Sequence, residues 1–198
     1  LSASAENMDA ALAPLLAASW SLPTALSLLA WFVFAPQCLS TLAAIKRTHK
    51  RVDWLVETMA ALRARHPDVP FVLVVAGGRE PDTDAIVAEG TALLGEHVRF
   101  LVRHPRARIP DLCRAADVFV LASLFEMMPI ALLEAAASGL PCIVNDEPTL
   151  RWMTGAGGVP TAMDDREAVI TAVRQLLTDP VRRATLATAA RAHADTYF

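Results

Sequence analysis

Short apolar runs alternate with amphipathic segments along most of this chain, and this alternation limits the fold more than any other feature. The run 71–78, FVLVVAGG, is rich in β-branched residues and ends in two glycines, which indicates a strand buried on both faces. Shorter runs predict further strands at 41–45, 98–102, 117–123, 142–145 and 157–160. Apolar residues at helical spacing predict helices at 52–66, 83–95, 109–116, 129–138, 165–178 and 181–196.

Strands and helices that alternate in this way form an α/β fold, a doubly wound and mainly parallel sheet with helices on both faces. The chain has 198 residues, of which 54% are hydrophobic, and this is enough for one such domain. Ligands bind to these folds beyond the carboxyl ends of the strands. The candidate binding loops are therefore 46–51, 76–80, 103–107 and 123–129.

The first part of the chain has a different composition, because the stretch 10–45 contains no formal charge. Only 12 residues separate Pro23 from Pro36, whereas a helix needs about 20 to span a membrane. The acidic Glu6 and Asp9 stand where a signal peptide has its basic start. We expect an apolar extension over 1–40 and a domain over 41–198, with attachment of the extension to a membrane as the alternative.

Charge and cysteine usage exclude several classes of protein. A net charge of −3 gives no general attraction to nucleic acid. Cys38, Cys113 and Cys142 are far apart and contain no CxxC pair, which predicts buried free thiols in a reducing, cytoplasmic compartment. No zinc site or Asp-x-Asp metal motif is expected, and the acidic segment 163–165 is interpreted as a helix cap.

A basic turn, KRTHKR, follows the first predicted strand and precedes the first predicted helix. Cations at a helix N-terminus oppose the helix dipole unless an anion is usually present there. Loop amides and ammonium groups together would hold a phosphate or pyrophosphate. The alternative is an ordinary solvated turn. The cationic residues concerned are Lys46, Arg47, His49, Lys50 and Arg51.

Two carboxylates, Glu126 and Glu134, stand eight positions apart in the segment 125–141, FEMMPIALLEAAASGLP. A helix that starts near Pro129 leaves its first N–H groups, those of Ile130, Ala131 and Leu132, free to receive a phosphate. Glu134 would be costly to bury alone, and a sugar diol could donate to both of its oxygens.

The same two glutamates allow simpler interpretations. Glu134 could be a partly exposed helix residue that pairs with a lysine or arginine. Glu126 could be a favourable negative charge near the positive end of the helix. Gly139 and Pro141 predict where the helix stops, with the glycine in a left-handed conformation.

The segment SLFEMMPIALLEAAASGLPCIV resembles the E-x7-E segment of the family 4 retaining glycosyltransferases. ADVFVLAS and HKRVDWLVETMAAL occur in the same order in that family. The resemblance covers about 41–198 and matches the C-terminal, donor-binding half of a GT-B enzyme, which has a Rossmann-like fold. It implies transfer of a sugar from a UDP- or GDP-sugar to a hydroxyl of a glycan, lipid or small molecule, with retention and without a metal or other cofactor.

The resemblance also implies roles for individual residues. Glu134 would bind the ribose hydroxyls, Glu126 would lie near the transferred sugar, and Lys50 would neutralise the donor pyrophosphate. The family usually has an arginine five positions before that lysine, where this chain has Ile45, so Lys46 or Arg47 would take its place. The backbone around Arg103 and His104 would lie near the base. The other expected donor contacts are Met127, Met128, Pro129 and Ile130.

Two departures from the family pattern affect these expectations. Many relatives have E-G-F-G where this chain has the residues 126–129, EMMP, which leaves the donor preference open. The 40 residues before the domain are too few for the N-terminal acceptor domain of a GT-B enzyme. We therefore expect a fragment, or a half that needs a partner subunit, and little turnover by this chain alone.

Two other functions remain as alternatives. The first is a non-catalytic subunit that holds a nucleotide-sugar for a separate acceptor-binding chain. The second is an NAD-dependent oxidoreductase, which would carry G-x-G-x-x-G between a strand and a helix. The corresponding segment 76–82, AGGREPD, lacks that pattern.

Overall fold

The computed structural model describes residues 52–198. Its strands are β1 (Leu73–Gly77), β2 (Val98–Val102), β3 (Phe119–Leu121), β4 (Cys142–Asn145) and β5 (Gly158–Thr161). Its helices are α1 (52–65), α2 (Thr83–Leu94), α3 (Ile109–Ala115), α4 (Ile130–Ala137), α5 (Pro148–Thr154), α6 (Arg166–Thr178) and α7 (Pro180–Tyr197). The predicted elements within these residues are confirmed to within a few positions, and α5 is an addition to them.

The strands pair in parallel throughout the described residues. β1 pairs with β2, with Leu73 opposite Val98. A second sheet has the order β3-β4-β5, in which Cys142 lies opposite both Phe119 and Gly158. Because the connections run through helices, the loops that follow the strands of each sheet lie at one edge of that sheet. The prediction of a mainly parallel α/β fold is confirmed.

Side chains of β4 alternate between two hydrophobic clusters, so this strand is buried on both faces. Ile143 packs into a cluster formed with α1, α2 and α6. Cys142 and Val144 pack into a second cluster, which includes residues of α3, α4, α5 and α7. Successive residues of a strand point to opposite faces, so the two clusters lie on the two sides of the sheet β3-β4-β5 at the position of β4. Helices therefore cover both faces, as predicted.

β1 differs from its prediction. Val72 and Val74 are 56% and 42% exposed, while Leu73 packs against the first cluster. The prediction that the run 71–78 is buried on both faces is therefore wrong for this strand. The physical reason is that the helices of the second cluster pack over strands β3 and β4, and the strand residues in that cluster all come from those two.

Two cysteines lie in the described part of the chain, and both are buried and free, as predicted. Burial raises the pKa of the Cys142 thiol to about 12. Burial also raises the pKa of Cys113. A buried neutral thiol behaves as a small hydrophobic group, so both residues serve the core of the second cluster.

Several predictions fall outside the described residues. These are the apolar extension 1–40, the strand 41–45, Cys38 and the basic turn with Lys46, Arg47 and Lys50. Within residues 52–198 no helix is both long enough and apolar enough to cross a membrane.

Candidate functional site

The loop that joins β3 to α4 carries the first of the two glutamates. Around the half-buried Glu126 it exposes large apolar side chains: Phe125 is 65% exposed, Met127 79% and Met128 63%. Isolated exposed apolar residues are common, but three of the four residues 125–128, which follow the half-buried strand β3, are exposed and apolar and together form a patch. This loop therefore presents an apolar rim with one carboxylate in its middle.

The start of α4 leaves fewer amides open than predicted. Pro129 is the N-cap residue, with extended backbone (φ −73°, ψ 109°). Its carbonyl accepts hydrogen bonds from the N–H groups of Leu132 at 3.0 Å and Leu133 at 3.4 Å. The prediction that Leu132 offers a free N–H is wrong, because the first turn is tight enough to satisfy it. Within the described residues, the N–H groups of Ile130 and Ala131 have no acceptor.

Burial fixes the orientation of α4. Leu132, Ala135 and Ala136 are at most 2% exposed and pack into the second cluster. The predicted stop is confirmed, since Gly139 has a φ of +77°, which glycine adopts without a steric penalty. With this face of the helix packed inward, Glu134 remains at the boundary with solvent, and its side chain is 31% exposed.

Glu134 has a cationic neighbour. The Nη2 atom of Arg106 lies 3.7 Å from its Oε1 atom, which is an ion pair but not a hydrogen bond. The interpretation of Glu134 as a half-buried helix residue with an arginine partner matches this geometry. No donor within residues 52–198 hydrogen-bonds to the carboxylate of Glu134, so its lone pairs remain available to a diol.

The loop after β2 starts with an unusual backbone conformation. Arg103 has a φ of +58°, and it is the non-glycine residue with positive φ in the described chain. Its N–H group donates to the Gly77 carbonyl at 2.8 Å, which ties the ends of β2 and β1 together. Such conformations cost about 1–3 kcal/mol and often occur at functional sites. The segment that begins at this turn carries Arg106, whose side chain reaches Glu134 on α4.

Two other arginines of this region have local partners. The Arg114 Nη2 and Arg108 Nε atoms donate to Asp111 at 2.5 Å and 2.8 Å. These bonds from Arg114 and Arg108 hold the pKa of Asp111 below its usual value. Arg106 differs from both because its ion pair reaches across to another helix.

Asn145, at the end of β4, anchors the glutamate loop. Its Nδ2 atom donates to the Leu124 carbonyl at 2.6 Å, and its Oδ1 atom accepts from the Met163 N–H at 3.1 Å. One side chain thus links the loop after β3 to the segment after β5. The acidic segment 163–165 acts as predicted, because Asp165 caps α6 by accepting from two backbone N–H groups.

Sequence reasoning missed Arg106 and Asn145. Arg106 lies within the predicted binding loop 103–107, but spacing gave no reason to prefer it over the arginines beside it. Asn145 is a polar residue at the carboxyl end of a buried strand, which is a usual place for a functional side chain. This position at the strand end is the feature of the sequence that could have identified Asn145.

Comparison with known proteins now identifies the family. The parallel α/β fold, with two glutamates around the start of α4, is that of a glycosyltransferase domain. The family described as "Glycosyl transferases group 1" matches residues 36–179, and the chain belongs to it.

Individual relatives agree with this assignment. The chain is 32% identical, over 163 residues, to a GDP-mannose-dependent α-(1-6)-phosphatidylinositol monomannoside mannosyltransferase of Mycolicibacterium smegmatis; this covers 78% of the chain and 41% of the relative. It is 42% identical over 86 residues to UDP-Gal:α-D-GlcNAc-diphosphoundecaprenol α-1,3-galactosyltransferase of Escherichia coli, covering 40% of the chain and 20% of the relative.

Solved structures give the same fold. The crystal structure of WaaG, a glycosyltransferase involved in lipopolysaccharide biosynthesis, superimposes with a TM-score of 0.62 and 25% identity, over 77% of this chain and 40% of WaaG. The chain spans less than half the length of the curated relatives it matches, from 13% to 41%. These neighbours confirm a GT-B glycosyltransferase domain with a Rossmann-like fold.

Proposed function

We propose that this chain is the donor-binding half of a retaining family 4 glycosyltransferase that uses a UDP- or GDP-sugar. The sugar is transferred to a hydroxyl of a glycan, lipid or small molecule. The acceptor site belongs to a second domain or to a partner subunit, so this chain alone binds the donor and turns it over slowly. It works in the cytoplasm, at or near the membrane surface if the extension 10–36 attaches there.

The observation that supports this proposal most directly is the position of Glu134. The helix buries its apolar face, and the carboxylate is left at the site boundary, one turn beyond the two open amides of Ile130 and Ala131. A ribose diol offers two donors that match the two carboxylate oxygens, and the amide N–H groups can donate to a phosphate oxygen. A nucleoside diphosphate carries both groups within one molecule.

The protein's contribution to the reaction is mainly electrostatic. Negative charge grows on the diphosphate as its bond to the sugar breaks, and preorganised donors stabilise that charge. Lys50, with Lys46 or Arg47, supplies the cations, the start of α4 supplies N–H groups, and no metal is needed for this role. Glu126, in the apolar rim, lies beside the transferred sugar, and Met127 and Met128 contact it.

Glu134→Ala and Lys50→Ala test this assignment. We expect each to weaken the binding of UDP or GDP at least about tenfold, because each removes a charge-assisted hydrogen bond of about 1.5–3 kcal/mol. Isothermal titration calorimetry with UDP, GDP and NAD measures the change. Glu89→Ala is the matched control, since Glu89 is an exposed glutamate on α2.

The outcomes separate the proposal from its rivals. Circular dichroism checks that both variants keep the fold. For Glu134→Ala this is expected, because the Glu134 side chain lies at the solvent boundary and pairs only with the exposed Arg106. Unchanged affinity in both variants would remove the support for the site. Tight binding of NAD, with no binding of either nucleoside diphosphate, would instead favour the oxidoreductase hypothesis.

A further inference from the structure

We infer that Arg106 is a positioning residue for the ribose end of the donor site, and that it acts through Glu134. This inference rests on the proposed function of Glu134. Arg106 belongs to the turn after β2, whereas Glu134 belongs to the helix after β3. The ion pair between them therefore connects two loops at the ends of different strands.

The backbone of the turn places Arg106 with little freedom. Pro105 has a fixed φ of −59° and precedes a 3-10 turn over Arg106–Arg108. The Arg108 N–H donates to the Pro105 carbonyl at 2.9 Å and closes that turn. On its other side the turn continues into α3, which packs with α4 through the second cluster. The fold thus fixes the backbone of Arg106 near α4, and the ion pair with Glu134 gives the direction of its exposed side chain.

The distance of the ion pair determines what Arg106 can do. At 3.7 Å the guanidinium stabilises the negative charge of Glu134 without occupying its lone pairs. A ribose that binds there covers the carboxylate and removes it from water, and an ionised carboxylate out of water needs a nearby cation. Arg106 supplies that cation while the two oxygens accept the sugar hydroxyls. A second role follows, because the pair favours the Glu134 rotamer that faces Arg106 before the donor arrives.

Arg108 offers a matched control on the same turn. Its side chain is 68% exposed and that of Arg106 is 77% exposed, so either can be truncated without opening the core. Arg108 pairs with Asp111 within its own segment and has no pair with Glu134. A general loss of positive charge from the loop would affect both variants alike, whereas a role through Glu134 affects Arg106→Ala alone.

The test is a thermodynamic cycle between the arginine and the ribose hydroxyl. UDP, GDP and their 2′-deoxy forms are titrated by calorimetry into the wild-type chain, Arg106→Ala, Arg106→Lys and Arg108→Ala. We expect Arg106→Ala to weaken the tighter of UDP and GDP by about fivefold, the upper range for an exposed ion pair. The preference for ribose over 2′-deoxyribose should fall by a similar factor, and Arg106→Lys should restore part of it. Arg108→Ala should change neither.

The outcomes distinguish this inference from the proposal beneath it. If Arg106→Ala weakens ribose and 2′-deoxyribose forms equally, Arg106 contacts the phosphates and the inference is overturned while the proposed function stands. If Arg106→Ala binds more tightly, the ion pair competes with the donor and the inference is again overturned. If the wild-type chain binds neither UDP nor GDP, the proposed function fails, and the inference fails with it.

Discussion

The most direct prediction about what anchors the glutamate loop concerns Asn145. Its amide bridges the Leu124 carbonyl, at the start of the glutamate loop, and the Met163 N–H, after β5. Asn145→Ala removes both bonds. Each neutral hydrogen bond contributes about 0.5–1.5 kcal/mol net, so we expect the free energy of unfolding to fall by about 1–3 kcal/mol.

The effect on the loop is specific, because Leu124 is two residues before Glu126. Without the anchor, the backbone amides of residues 122–129 should exchange with deuterium faster in the native state. Binding of UDP or GDP then has to order the loop, and a lost bond of about 1 kcal/mol corresponds to roughly fivefold weaker binding. Urea unfolding, hydrogen exchange by mass spectrometry and calorimetry measure the three quantities separately.

Two variants sharpen this experiment. Asn145→Asp keeps the oxygen that accepts from Met163 but cannot donate to the Leu124 carbonyl, so its loop should exchange as fast as that of Asn145→Ala. Gln175→Ala is the control, since Gln175 accepts a bond from Arg182 on the surface. The anchoring role of the Leu124 bond would be refuted if the loop exchanged at the wild-type rate in Asn145→Ala or in Asn145→Asp.

Two further predictions concern the core around the site. A Cβ at Gly157 would lie 2.5 Å from the Cβ of Ala190 on α7 and closer still to its backbone, so Gly157→Ala should lower the urea midpoint by an amount equivalent to about 1–3 kcal/mol. Gly78→Ala is the control, because the added Cβ meets nothing within 4 Å and the midpoint should not fall. Equal midpoints for the two variants would contradict the close packing at Gly157. Because the pKa of Cys142 is raised to about 12, about one thiol in ten thousand is ionised at pH 8, so iodoacetamide should modify Cys142 only after unfolding. Peptide mapping that finds rapid labelling of Cys142 in the native state would show that the burial is wrong. Above about pH 9 an unfolded thiol ionises and the folded one does not, so Cys142 should make the free energy of unfolding fall as pH rises.

The sequence predicted those features that depend on local periodicity. Alternating apolar runs and helical segments indicated a parallel α/β fold, because a strand without polar alternation has to be covered on both faces. This held for β4, whose residues enter both hydrophobic clusters. The stop of α4 was equally predictable, since Gly139 is the residue that tolerates the left-handed backbone found there.

Local patterns could not predict features that depend on distant segments. The run 71–78 has the composition of a fully buried strand, but Val72 and Val74 are exposed because the helices of the second cluster pack over other strands. The number of open amides at the start of α4 depends on how tightly its first turn closes on Pro129. A difference of one hydrogen bond leaves no trace in residue spacing.

The amino-acid sequence by itself determined the class of fold, the candidate binding loops and the pair of glutamates, because these follow from the periods of strands and helices and from residue types. Only the tertiary structure decided which partners complete the site. Asn145 and Leu124 are far apart in sequence, and they meet because the parallel strands β4 and β3 bring the residues that follow them to one edge of a sheet. Arg106 and Glu134 follow strands of different sheets, and they meet because α3 and α4 pack together in the second cluster. A contact of that kind is a property of the packed chain, and no single segment encodes it.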